Sequence, residues 1–381
     1  MKIKIQVITP TLIRSGEVIS NVSECVIEDN RLKIIDKEKL LNMFKDKNLK
    51  NFVNELSSMI TNQRENIKDL LNKYKIPIDE VIKYSLEIKS KIERNNESSR
   101  QPSRNIYMPI LTGENAYIPG STLKGVIRNA LLFYALEKDK SKQNAFLEKT
   151  AERIKSEIPK KNKPYIGEDI LRTNEKDIHT DIMKYIIVRD SSLVPLSELN
   201  VYVIRRIPHQ KLSQYVIAIP AGKEFDTEII IKKDMISNIP TEWKDFFEKE
   251  PEEKLWSALK NYSLKLSKKE QELLSELSSK KYSNNEEAKN TINDLIEHYN
   301  KVQQELKEQE QKNKEVIYLP IGFGKTYYYN SLGYFIKTEQ LKNLGIIRRN
   351  VDPQIYPSTR WAVQIGKKLF PLGGVYIIRN D

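Results

Sequence analysis

The segment AYIPGSTLKGVIRNALLFYAL, residues 116–136, constrains the fold more than any other stretch of the 381-residue chain. It reads as a short strand, a Pro-Gly turn and a helix that Ser121 or Thr122 would cap. Leu123, Ile127, Ala130, Leu131 and Tyr134 share one helical face, which has to be buried against another layer. Lys124 and Arg128 lie one turn apart on a different face. A lysine in the first turn opposes the helix macrodipole, which favours anions there. An external phosphate would remove the conflict, because the free N–H groups and the ammonium would both face it. The plainer alternative is an ordinary amphipathic helix with a solvated Lys124.

A second glycine-bearing stretch, IGFGKTYYYNSLGYF at 321–335, superficially matches a nucleotide-binding loop. That motif needs a glycine five positions before Gly324, where this chain has Leu319 followed by Pro320, a residue without an N–H. TYYYN is also a poor start for the helix that should follow, so a nucleoside triphosphate is not expected here. Gly322 and Gly324 let the backbone come close to a ligand chain or to the Pro119-Gly120 turn. Lys325 would add charge, and Tyr327 to Tyr329 would stack or pack. A structural turn between core elements is the alternative.

The rest of the chain alternates strand and helix signals. Residues 2–9 read as a strand, and Asp29-Asn30 is a hairpin turn between two more. Apolar residues at helical spacing, Leu40, Leu41 and Phe44, then Phe52, Leu56, Met59 and Ile60, mark a helical insertion over about 36–83. Residues 93–105 are almost devoid of apolar side chains and predict a mobile loop, and 140–176 are polar and loosely helical. Strands are expected near 185–189 and in two runs between 200 and 232. Helix returns over 241–315, where Ile292, Ile296, Tyr299, Val302 and Leu306 form a stripe that needs a partner helix or internal packing. Strands and turns fill 316–381. The fold class is α+β.

The formal charge of +12 and a pI near 9.3 call for an acidic partner, nucleic acid first. Residues 316–381 hold nine Lys and Arg against three Asp and Glu, and seven of the 19 tyrosines. Cations interleaved with aromatics suit phosphate neutralisation and base stacking, and a basic solvated surface is the other reading. The single cysteine, Cys25, excludes an internal disulfide framework and fits a reducing cytoplasm, with a core thiol expected rather than a nucleophile. No apolar run reaches the ~20 residues of a membrane span, and the N-terminus has no signal-peptide core.

Five stretches in this order resemble the RAMP proteins of CRISPR effector complexes: VITPTLIRSGE, YIPGSTLKGVIRNAL, MKYIIVRDSS, AIPAGKEFDTEI and the late glycine loop GFGKT with SLG. Length, helical insertions and the PLGG strand look most like the subunits that cap the head end of type III-A (Csm) assemblies. The resemblance implies a ferredoxin-like, RRM-related fold in two units, with boundaries expected at 1–235 and 236–381 and the glycine loop at 322–333. It implies binding of the 3′ side of the guide RNA (crRNA), contact with the adjacent backbone subunit, and a part in guide maturation alongside cellular trimming nucleases. Arg14, Gly120, Ser121, Lys124, Arg128, Gly322, Gly324 and Lys325 are the expected RNA-lining residues, the two glycine bends forming one cationic cradle. The helical insertions would serve neighbouring subunits. No aromatic-rich RNP1 sequence is present, so stacking on the sheet face does not follow from the resemblance.

Catalytic signals are sparse. His179, His209 and His298 have no metal-ligand spacing, and no cofactor or metal motif is visible. His209, beside Arg205 and Arg206, is the one candidate for metal-independent RNA cleavage. Asp190, at a strand end beside two serines, suits a local hydrogen-bond acceptor better than an acid. A non-catalytic RNA-binding subunit is the expectation, with a guide-processing endoribonuclease or a backbone-type RAMP subunit as alternatives.

Overall fold

The computed structural model describes all residues except 45–48, 63–65, 91–104, 156–166, 209–212, 233–238, 345, 348–351 and 381. The expected loop at 93–105 lies almost wholly, and His209 entirely, outside the described residues.

The first strand, Lys2–Val7, shows how the core is laid out. Ile3, Ile5 and Val7 are buried, while Lys2, Lys4 and Gln6 face the other way, the period-2 pattern of a sheet with one packed face. It is the central strand of a five-stranded antiparallel sheet ordered Val316–Pro320, Gly374–Asn380, Lys2–Val7, Glu224–Ile231, Ile186–Val188. Helices Gly120–Lys138 and Pro251–Glu276 cover the packed face. Leu123, Ile127, Trp256 and Leu259 meet Ile3 and Ile377 around a small internal void. The opposite face carries Lys4, paired with Glu224 at 2.9 Å, together with Asp226 and Glu228.

A second sheet has six strands, ordered Lys368–Pro371, Arg360–Ile365, Asn200–Ile207, Ser213–Ala218, Asn105–Pro109, Arg14–Ser20. Only the Ser213–Ala218 and Asn105–Pro109 pair is parallel. Residues beyond 235 therefore contribute strands to both sheets and form no sheet of their own among the described residues. The expected boundary at 235 cuts across both sheets, because strands pair by register across the whole chain and not by proximity in sequence.

The insertion is more than helices. The hairpin Cys25–Glu28 and Arg31–Ile35 turns at Asp29 and Asn30, both at positive φ (50° and 58°), as the dipeptide predicts. Ile82–Glu87 adds a third strand, and helices Lys37–Asn42, Leu49–Asn62 and Ile67–Lys73 pack on this unit. Val26, Leu40, Phe52, Met59, Ile67 and Leu71 form a core separate from the main one. Leu41 and Ile60, counted in the helical pattern, are 48% and 46% exposed and point outward.

The apolar stripes of the long helices after 241 take the internal-packing alternative. Leu255, Trp256, Leu259, Tyr262 and Leu266 of Pro251–Glu276 belong to the main core. The stripe on Glu286–Gln311 is likewise internal, with Ile292, Tyr299, Val302 and Leu306 buried and Ile296 packed against them. The apolar stripe is used up inside the chain. Cys25 is buried, and desolvation pushes its thiol up to about 12, so it is an inert core residue.

Candidate RNA-binding surface

The helix at Gly120–Lys138 starts differently from its sequence cue. Pro119 occupies the cap position, and neither Ser121 nor Thr122 caps the helix with its side chain. The cap comes from 70 residues away: Asp190 Oδ1 accepts a hydrogen bond from the Gly120 N–H at 2.7 Å. Ser191 fixes this arrangement, its Oγ accepting from the Ile118 N–H (2.9 Å) and its own N–H donating to the Ile118 carbonyl (3.1 Å). A Cβ at position 120 would lie 2.1 Å from the Val188 carbonyl oxygen, so only glycine lets the strand end come this close. Asp190 is thus a hydrogen-bond acceptor, and its carboxylate sits at the helix start, where the macrodipole favours an anion.

Ser121 remains exposed at the mouth of this turn. Lys124 is half-buried, and desolvation lowers its pKa against the opposing field of Asp181. Arg128 Nη1 is 3.8 Å from Asp181 Oδ2, an oxygen that also accepts from Arg172 Nε at 2.9 Å. Two guanidinium groups therefore share one carboxylate with an ammonium nearby, and Glu168 also acts on Arg128, so the patch is a mixed network of cations and carboxylates.

The glycine loop spends its backbone inside the chain. The Ile321 N–H donates to the Gly373 carbonyl and the Phe323 N–H to the Leu12 carbonyl, each at 2.8 Å. Gly322 and Gly324 adopt φ of 70° and 95°, and a Cβ on Gly322 would sit 2.3 Å from the Leu12 carbonyl oxygen. The Ile321 and Phe323 amides are therefore taken up within the chain. Lys325 is half-buried, its pKa lowered by desolvation, and it meets no carboxylate among the described residues. Tyr327–Asn330 does form a single helical turn, against its sequence cue. Tyr328 and Tyr329 are buried, the latter's hydroxyl 3.0 Å from Ser267 Oγ, and Tyr327 lies against Gly333. They pack; none is presented for stacking.

The loop instead presents Phe323. Its ring lies 5.8 Å from Tyr107, edge-on, and 5.9 Å from Trp361. The Arg14 guanidinium lies over Tyr107 at 3.9 Å. Sequence reasoning found Arg14 here but missed all three rings. The one available signal was the aromatic held between two glycines in GFG.

The two bends do not meet. Gly120 docks on Ile186–Val188 and Gly322 follows Val316–Pro320, the two opposite edge strands of the five-stranded sheet. Four strand spacings of ~4.8 Å put them roughly 19 Å apart across the sheet. The expected residues therefore fall into two stations: Gly120, Ser121, Lys124 and Arg128 at one, Arg14, Gly322 and Gly324 at the other, and Lys325 recessed beyond the loop.

With this geometry in view, the comparisons with known proteins fall into place. The sequence profile of the RAMP superfamily matches residues 4–328, and the chain belongs to that superfamily. It is also similar to the CRISPR-system protein Csm5 of Methanocaldococcus jannaschii, 28% identical over 281 residues, covering 70% of this chain and 61% of that one. The chain thus spans less than two thirds of the relative's length. Two solved structures share the fold at 20% identity, each covering 99% of this chain and 100% of its own. They are the crystal structure of T. onnurineus Csm5, with a TM-score of 0.58, and a chain of the cryo-EM Csm–crRNA–target RNA ternary complex, with 0.63.

Proposed function

We propose that this chain is a non-catalytic RNA-binding subunit of a type III-A CRISPR (Csm) complex. It caps the 3′ side of the crRNA, protects that end during maturation, and docks on the adjacent backbone subunit. The observation that carries this reading is the match, over nearly the whole chain, to a fold found in a Csm–crRNA–target RNA complex. Superfamily membership and the +12 charge support it. We read the five-stranded sheet as a ferredoxin-like unit. Its strands Lys2–Val7, Ile186–Val188, Glu224–Ile231 and Gly374–Asn380 stand in the spatial order 4-1-3-2, and Val316–Pro320 is an added edge. The outer face of that sheet pairs its acids with cations, Lys4 with Glu224 and Arg189 with Glu228, so it offers no unpartnered charge of either sign at those positions, and we place the guide path along the stations instead.

Incubating the chain with labelled crRNA precursor in a chelator separates binder from nuclease. Intact RNA, held with an affinity that falls steeply as salt rises, is expected. Cleavage that disappears in His209→Ala would make the chain the processing enzyme.

A further inference from the structure

We propose that the six-stranded sheet carries a stacking platform for unpaired nucleobases, formed by Tyr107, Phe323 and Trp361 and flanked by Arg14 and Arg206. It rests on the RNA-binding reading and names the part of the ligand this surface would take.

The three rings form one row, with Phe323 in the middle and centroid separations of 5.8 and 5.9 Å to its neighbours. Each is half-buried, neither sealed in the core nor free in solvent. They come from three separate parts of the chain. Tyr107 stands on strand Asn105–Pro109, Trp361 on Arg360–Ile365, and Phe323 is delivered from above by the glycine loop. Arg206 is directly opposite Trp361 in the ladder, and directly paired residues share a face, so its exposed guanidinium lies on the same side as the indole.

The charges complete the site. Arg14 is exposed and lies over Tyr107, while Arg206 donates to the Thr359 hydroxyl at 3.2 Å. Among the described residues neither meets a carboxylate, so both keep a full charge for a phosphate. Half-buried rings between two cations suit a short single strand with little sequence preference, because every base has a face to stack; with Arg14 over Tyr107, the outward sides of Phe323 and Trp361 are the ones left for bases. On their inner sides the rings pack against the buried cluster of Leu12, Tyr202, Val216, Val363 and Leu372, so only their outward sides serve a ligand.

Trp361 is a built-in reporter, since Trp243 and Trp256 are only 2% and 4% exposed. Titrating the full chain with a short oligouridylate and with its abasic counterpart, under indole-selective excitation, tests the platform. Quenching by the base-bearing RNA alone is expected, with about tenfold tighter binding than the abasic chain. Phe323→Leu and Tyr107→Leu should each weaken oligouridylate binding about tenfold at an unchanged salt slope, whereas Arg14→Gln should reduce that slope by about 0.7. Equal affinity and equal fluorescence response for the two RNAs would overturn the platform while leaving RNA binding intact. No salt-dependent binding of either RNA would overturn the RNA-binding reading and the platform together.

Discussion

Replacing Glu270 by alanine is expected to destabilise the chain by about 3–5 kcal/mol. The Glu270 side chain has 0% exposure and that of Arg360 5%, and Arg360 Nε reaches Glu270 Oε2 at 2.9 Å. The other carboxylate oxygen accepts from the Thr326 hydroxyl, while Arg360 Nη1 donates to the carbonyls of Pro357 (2.6 Å) and Thr359 (3.0 Å). Without the carboxylate, a guanidinium is left buried and uncompensated. The pair also ties the helix Pro251–Glu276 to the residue after Lys325 and to the strand bearing Trp361. Glu270→Ala should therefore loosen the glycine loop as well. The double variant Glu270→Leu/Arg360→Met should recover most of the loss, because apolar groups of similar volume often replace a buried ion pair without penalty. Urea unfolding measures both as shifts in midpoint at constant slope. A shift worth under 1 kcal/mol for Glu270→Ala would mean that the pair is solvated or dispensable.

That ion pair spans 90 residues and has no local signal in the sequence, which shows where sequence reading reaches and where it stops. Features set by neighbours along the chain were legible: the Asp29-Asn30 hairpin, the helix after Pro119-Gly120, the inert Cys25. Features set by partners far along the chain were not. Asp190 capping Gly120 depends on a strand 70 residues away, and Ser121 and Thr122 offered a local alternative that the fold does not use. The division of residues beyond 235 between two sheets depends on register, which alternating apolar residues specify only once the partner strand is known. The candidate site suffered most. Arg14 and Lys124 could be singled out by type and context, whereas the row of Tyr107, Phe323 and Trp361 exists only when three distant segments meet.

Acidification from pH 6.5 to 4.5 is expected to destabilise the chain by about 2–3 kcal/mol through one side chain, His298. It is 7% exposed, with Nε2 3.2 Å from the Tyr318 hydroxyl and its ring among Tyr299, Tyr318 and Phe370. Burial lowers its pKa from 6.5 to about 4, and the nearby Lys301 acts in the same direction. At pH 7 the folded chain lacks this proton and the unfolded chain carries it only in small part. As pH falls through 6.5 the unfolded chain takes it up, and the folded chain does not until about 4, so stability is lost between those values. Exposed Glu297, held down to about 2 by Lys301 and Lys368, loses its contribution only below the usual carboxylate pKa and leaves this window clear. Thermal or urea unfolding at pH 7, 5.5 and 4.5 should show the loss in the wild type and little of it in His298→Gln. An equal loss in both would assign the acid sensitivity elsewhere.

The most direct measurement of the central claim is the length of the guide's 3′ end in Csm complexes assembled with and without this chain. A protein that covers the 3′ side should give a narrow set of ends when present, and ragged ends when omitted. The Arg14→Ala/Lys124→Ala variant should fall between the two, since it keeps the fold and removes one cation from each station. The same set of ends in all three assemblies would contradict the account.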